Sequence, residues 1–190
     1  MSDAFAIDRL RFVTSNQHKF MEIKEVFRKE GIAIEWIKKK YEEIQADNTE
    51  YISLDSARKL SSEIKGRFFL EDTGLYIDSL KGFPGPYSSY VAGTIGNEGI
   101  LRLIEGLDRS CHFLTVITYF DGGSYLQFSG ILKGHISIEI KGNGGFGYDP
   151  VFIPEGHKLT LAEMDIGMKS SISHRSIATQ KFISHLRAGR

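Results

Sequence analysis

The run "FLTVITYF" at residues 113–120 constrains the chain most. Apart from one leucine it consists of β-branched and aromatic side chains, the composition of a half-buried or buried strand. Asp121-Gly122-Gly123 follows at once, and such a tripeptide turns a strand back on itself. A second strand is expected through about Leu132 and a third around His135 to Ile140. This half of the chain therefore reads as an antiparallel meander.

The first half is patterned differently. Residues 9–13 read as a short strand that runs into Thr14, Ser15 and Asn16, three helix-capping types in a row. From Gln17 to Glu30, Phe20, Ile23, Val26 and Phe27 fall three and four apart, Glu25 can pair with Lys29, and Gly31 supplies a stop. Residues 32–37 alternate apolar and polar side chains as a second strand would. A second helix is expected over 49–64, with Ile52, Ala57, Leu60 and Ile64 inward and Gly66 ending it. Residues 67–70 form a strand whose end carries two adjacent acids, Glu71 and Asp72. A glycine- and proline-rich loop at 82–86, a helix over 97–107 and a glycine-rich stretch at 142–149 come next. A short strand at 151–153 and a last helix over 173–186, with Ile177, Phe182, Ile183 and Leu186 for packing, complete the reading. The sum is a mixed α/β fold.

Composition excludes several classes of function. With 190 residues, 41% of them hydrophobic, the chain can bury a substantial core as one large domain or two closely packed lobes. Its 24 basic and 24 acidic residues cancel, so no overall field draws it to nucleic acid or to an anionic membrane. It has no basic stripe with interleaved aromatics for RNA, and no apolar run approaches the roughly 18 residues of a membrane span. Cys111 is the only cysteine, which rules out an intrachain disulfide framework. Nothing at the N-terminus resembles a signal peptide, so a cytoplasmic protein is expected.

Four stretches could carry chemistry. "TSNQHK", residues 14–19, places small polar residues and Lys19 at a helix start, where free N–H groups and the helix dipole suit a phosphate; plain capping is the alternative. Glu71 and Asp72 alternate across a pleat, so one can face a cleft while the other packs elsewhere. Unpaired charge at the end of an apolar strand is costly, and Asp72 with Glu43 would make a hard oxygen site for Mg²⁺. "GGFGYDP", residues 144–150, combines flexible backbone with Phe146 as a stacking face; a tight turn with core aromatics is the bland equivalent. "SISHRS", residues 171–176, sets His174 and Arg175 at a helix start, where a cation opposes the dipole and asks for an anion. Lys38 to Lys40 read as a solvated face. No nucleophile elbow is present, and the remaining histidines lack metal-site spacing.

The order of these motifs is more specific than any one of them: "TSNQHK", "EIQ", "EDTGLYIDSLKGFPGPYSSY", "GGFGYDPVFIPEG", "AEM", "MKSSISHRSIA". Over nearly the whole chain the series resembles the inosine/xanthosine triphosphate pyrophosphatases, the Ham1-like nucleotide hydrolases. The resemblance implies one domain over residues 1–190, an elongated mixed sheet with flanking helices, and two lobes around an active-site cleft. It also implies a homodimer that uses Mg²⁺ to hydrolyse ITP, dITP and XTP to the monophosphate and pyrophosphate.

Position by position, the resemblance implies that Thr14, Ser15, Asn16 and Lys19 bind phosphate. Glu43 and Asp72 would hold the metal, Asp72 being the catalytic carboxylate with Thr73 beside it. Phe146, Gly147, Tyr148 and Asp149 would recognise the base, and Lys169, His174 and Arg175 would make the remaining substrate contacts. Three departures accompany it: Ser15 stands where a glycine is usual, Asp55 where some members have a lysine, and Ser176 where a glycine is common. Two other readings compete. A Maf-like pyrophosphatase of similar fold would prefer dTTP or UTP, against which the "FGYD" and "SHR" motifs speak. A nucleotide sensor without catalysis would have no need of Glu43 and Asp72.

Overall fold

The computed structural model describes residues 10–189; Arg9, at the head of the expected first strand, lies outside them. β1 (Leu10–Val13) leads through residues 14–16 into α1 (Gln17–Lys29), followed by β2 (Ile34–Ile37), α2 (Thr49–Glu63) and β3 (Phe68–Ile77). A two-residue β4 (Pro84–Gly85) precedes α3 (Ser88–Thr94) and α4 (Gly96–Leu103). Then come β5 (Ser110–Phe120), β6 (Tyr125–Ile136), β7 (Phe152–Pro154), α5 (Ile166–Ile172) and α6 (His174–Ala188). The strands form one seven-stranded mixed sheet in the order β2-β1-β3-β5-β6-β7, with β4 on β3. β1 runs parallel to β2 and β3, whereas the β3–β5, β5–β6 and β6–β7 pairs are antiparallel.

Local chemistry accounts for the first turn of α1. The Asn16 side chain accepts from the backbone N–H groups of His18 at 2.9 Å and Lys19 at 3.2 Å, and Thr14 Oγ1 accepts from Asn16 N at 3.1 Å. Along the helix, Glu25 pairs with Arg28 at 2.8 Å instead of Lys29, whose ammonium reaches Ser170 Oγ. α1 and α6 cover one face of the sheet, where Phe12 stacks on Phe69 at 4.7 Å between ring centroids and Phe182 meets Phe69 edge-on at 5.2 Å. α2 covers the opposite face with Leu60 against Phe68 and Leu70. Each fully buried phenylalanine contributes about 1.5–3 kcal/mol of transfer free energy.

The structure corrects several expectations. β3 does not stop at Leu70: β5 offers it partners continuously from Phe68↔Phe120 to Ile77↔Cys111, so Glu71 and Asp72 lie within the strand. The third meander strand at 135–140 is absent beyond Ile136, because the backbone there is satisfied irregularly. Arg109 Nε donates to the Ile136 carbonyl at 2.7 Å, and Ser137 N donates to Val151 O at 2.8 Å. The helix expected over 97–107 ends at Leu103 and is preceded by α3. α5, with two serines and Gly167, has little helix propensity, and Asp165 caps its start by accepting from Met168 N at 2.8 Å.

One close approach sets the height of α6 over the sheet. A Cβ on Gly130 of β6 would lie 2.1 Å from the His174 carbonyl oxygen and 2.5 Å from Ala178 N. The first turn of α6 therefore rests directly on β6 backbone. Gly130→Ala is expected to lower the denaturant midpoint with unchanged slope, at a cost of about 1–3 kcal/mol. An unchanged midpoint in urea unfolding would contradict that packing.

Candidate active site

A gap in strand pairing creates the cleft. β1 pairs with β3 only at Arg11↔Phe68 and Phe12↔Phe69, and β4 rejoins that edge at Leu75↔Gly85. Between these points one edge of β3 is open, at the carboxyl end of a parallel pair, where open α/β sheets place their ligands. Thr14, Ser15, Asn16 and Lys19 line one wall of a cleft of about 330 Å³, and Phe146 to Asp149 another. Asp72, Thr73, His174 and Arg175 line it from the sheet and α6, and Glu43 from the irregular segment before α2.

The pleat sends the adjacent acids to opposite faces. Glu71 shares parity with Phe69, beneath α1 and α6; Asp72 shares parity with Leu70, on the α2 side. Glu71 is 1% exposed, and two cations face it, although its Oε2 accepts no hydrogen bond. Arg175 donates to it at 3.1 Å, Lys19 lies 3.3 Å away, and the Thr73 hydroxyl donates to Oε1. Burial alone would raise its pKa, but Arg175, Lys19 and Thr73 outweigh burial and bring it down to about 2.

The ionic network extends to the base-side loop. Arg175 also donates to Glu22 at 2.5 Å, and Lys169 bridges Glu22 at 2.5 Å and Asp149 at 2.6 Å. Burial opposes ionisation of Glu22, yet the charges of Arg175 and Lys169 hold its pKa below the usual value. Asp149 additionally accepts from Phe146 N at 2.7 Å, which ties the loop into a turn. Gly145 makes this possible: with φ of 69°, a Cβ there would come within 2.0 Å of Asp149 Oδ2. Lys169 and Arg175 sit 5.3 and 5.5 Å from the Phe146 ring centroid, and His18 stacks on that ring at 5.2 Å.

Hydroxyl protons fix the state of His174. The ionised Glu71 only accepts, so Thr73 spends its one proton on it. Thr115, 2.6 Å from Thr73, must then donate to Thr73, and His174 Nδ1, 2.5 Å from Thr115, must donate to Thr115. His174 Nε2 is left as an acceptor on a residue lining the cleft. Burial, followed by repulsion from Arg175, pushes its pKa well down, so the ring is neutral. Nitrogen-15 spectra of histidine-labelled protein are expected to show His174 protonated at Nδ1 alone between about pH 6 and pH 8; an Nε2-protonated ring would break the deduced chain.

Asp72 is treated oppositely to its neighbour. Partial burial raises its pKa, Lys19 opposes this, and the like charges of Glu43 and Glu71 add to it, leaving it at about 6. Because the folded value lies above the ordinary 3.8, the folded chain binds more protons than the unfolded one between the two. Stability contributed by this group therefore falls as pH rises through that window, and the loss is complete above it. In EDTA, Asp72→Asn is expected to be stabilising by about 1–2 kcal/mol at pH 7.5, and by almost nothing near pH 4. A pH-independent difference in urea unfolding would contradict this.

All but one of the expected site residues line the cleft. Lys169 does not: it is 6% exposed and acts through Glu22 and Asp149. Among the departures, Ser15 needs no glycine backbone, since Lys81 is the one non-glycine with positive φ among the described residues. Asp55 pairs with Lys59 at 2.8 Å and does not line the cleft, and Ser176 N donates to Ser173 Oγ in the cap of α6. Sequence reasoning missed Glu22 and Thr115. Glu22 lies three residues after Lys19, on the same helix face, and that spacing was the available signal. Lys40, assigned to a solvated face, also lines the cleft.

Fold and cleft define a class, an α/β protein with a charged, aromatic-walled cleft at the open edge of a mixed sheet. Comparison with known proteins is more specific: the chain belongs to the Ham1 family, whose pattern matches residues 10–185. It is 46% identical over 180 residues to the dITP/XTP pyrophosphatase of Thermococcus kodakarensis, covering 94% of this chain and 97% of that protein. A relative of the same name in Pyrococcus horikoshii shows the same identity and coverage. The solved HAM1 protein from Coxiella burnetii superposes with a TM-score of 0.82 at 28% identity, covering 94% of this chain and 99% of that one.

Proposed function

We propose that the protein hydrolyses ITP, dITP and XTP to the monophosphate and pyrophosphate. The observation that carries this is the contrast between neighbours on β3: the charge of buried Glu71 is balanced by Arg175 and Lys19, whereas Asp72, which lines the cleft, has its pKa raised to about 6, suited to a general base near neutral pH. Asp72 orients a water for in-line attack on the α-phosphorus and takes its proton. The bond between the α-phosphorus and the bridging oxygen breaks, and pyrophosphate leaves. Lys19 and the positive end of the α1 dipole steady the phosphate chain.

Magnesium is part of the proposal. Glu43 and Asp72 present hard carboxylate oxygens to one cleft, and the repulsion Glu43 exerts on Asp72 is what a cation relieves. Among the described residues no three His, Cys, Asp or Glu side chains gather as a metal cage. Two carboxylates suffice for Mg²⁺, which takes its other ligands from water and phosphate. When bound, the ion neutralises charge on the phosphoryl oxygens.

Base choice follows from the donor and acceptor inventory. Arg175 Nε is buried without a hydrogen-bond partner, and His174 Nε2 is an acceptor. Hypoxanthine and xanthine offer O6 as acceptor and N1–H as donor, which match both; adenine is reversed at both positions. A buried mismatch of this kind can discriminate by roughly 10⁴. Guanine shares O6 and N1–H, so its rejection rests on its 2-amino group.

The protein acts, in this proposal, as a single two-lobed unit and a cytoplasmic homodimer, the latter testable by sedimentation. Among the described residues no helix is long and apolar enough to cross a membrane. Turnover of ITP, dITP and XTP against ATP, GTP, UTP and dTTP, with pyrophosphate and orthophosphate assayed separately, tests the reaction. Pyrophosphate from the first three alone is expected, abolished by EDTA, with Asp72→Asn slower by about 10²–10⁴. Orthophosphate release, pyrimidine preference or binding without turnover would overturn it.

A further inference from the structure

Three consecutive lysines after β2 have three different surroundings. Lys38 Nζ lies over the Trp36 ring, 5.7 Å from its centroid, and Lys39 Nζ pairs with Glu63 at 2.8 Å. Lys40 instead lines the cleft, beside Tyr41 and Glu43. Among the described residues no carboxylate oxygen comes within 4.0 Å of its ammonium.

The charges of the cleft show why this matters. Lys19, Lys169 and Arg175 are each held by carboxylates, and their three positive charges are balanced by those of Glu22, Glu71 and Asp149. His174 is neutral. Glu43 and Asp72 add two negative charges, which one divalent ion would cancel and no more. A triphosphate brings several negative charges into this site, and every cation of the network, Lys19 included, already shares its charge with a carboxylate. The N-terminus of α1 contributes only partial charge. Lys40 is the one full positive charge lining the cleft that is not already committed.

We propose that Lys40 is a phosphate-binding residue, a flexible ammonium that closes on the distal phosphates of the bound triphosphate and on the pyrophosphate that leaves. This rests on the reading of the cleft as a triphosphate site. The four-carbon stem gives the ammonium reach, and its exposure in the free protein means that little is lost when it moves. Lys39, one residue away, carries the same charge but is held outward by Glu63 and makes no such contact.

Calorimetric binding of inorganic tripolyphosphate, in magnesium, to the full chain and to Lys40→Ala, Lys40→Arg and Lys39→Ala tests this without any need for turnover. Loss of a charge-assisted contact is expected to weaken binding to Lys40→Ala by about ten- to a hundredfold. Lys40→Arg should recover most of it, Lys39→Ala should match the parent, and inosine monophosphate should bind all four alike. Equal weakening by Lys39→Ala and Lys40→Ala, or unchanged binding by Lys40→Ala, would overturn the assignment. With dITP turnover intact in the parent, that result removes Lys40 alone and leaves the reaction standing. A parent that fails to bind tripolyphosphate removes both. A parent that binds it through Lys40 but leaves dITP intact keeps the anion site and removes only the reaction.

Discussion

The ion pair between Glu71 and Arg175 is the contact on which the rest of the cleft depends. A carboxylate buried in a β-strand, 1% exposed, is untenable without a cation, and removal of one partner from such a pair costs about 3–5 kcal/mol. Arg175 can reach it only because α6 begins directly above β6, where Gly130 carries no side chain. The guanidinium in turn holds Glu22 on α1, and Glu22 holds Lys169, which holds Asp149. One charge placed by the pleat of β3 thus fixes α1, α5, α6 and the 146–149 loop relative to the sheet.

The same pleat separates stability from chemistry. Glu71, turned toward α6, is ionised and contributes stability that is lost only as pH falls from the ordinary carboxylate range toward 2. Asp72, one residue later and turned toward α2, meets Glu43 in place of a committed cation and carries a destabilising charge at neutral pH. Stability is given up where the reaction needs a basic carboxylate, and a cation at that place would return it. Because the charge of Glu71 is already balanced by Arg175 and Lys19, a cation entering the cleft is drawn to Asp72 and Glu43.

Much of this was legible in the sequence, for reasons that can be named. β1, α1, α2, β5 and α6 were readable because their apolar spacing and caps are local, and Asn16 does cap α1. The length of β3 was not, because its continuation past two acids depends on partners in β5 and α6 that lie 34 or more residues away in the chain. α5 was invisible for lack of propensity. The cleft residues were legible from the order of motifs, but their division of labour was not: Lys169 carries a motif and turns out buried behind Phe146, whereas Lys40 sits in a plain charge run and lines the site. Long-range pairing decides which of several like residues is free, and no local pattern encodes that.

The proton chain from His174 through Thr115 and Thr73 to Glu71 joins the two ends of the site in one constraint. Because Glu71 must be an anion to balance Arg175, each hydroxyl along the chain has its direction set, and the ring at the far end is left with an acceptor. Arg175, held by the same Glu71, leaves its Nε–H as an unspent donor. Recognition of an acceptor beside a donor on a purine edge is therefore a consequence of the charge that stabilises the fold. Replacement of Glu71 by a neutral residue would disturb the base pocket and the packing of α6 together, which ties specificity to the integrity of the core.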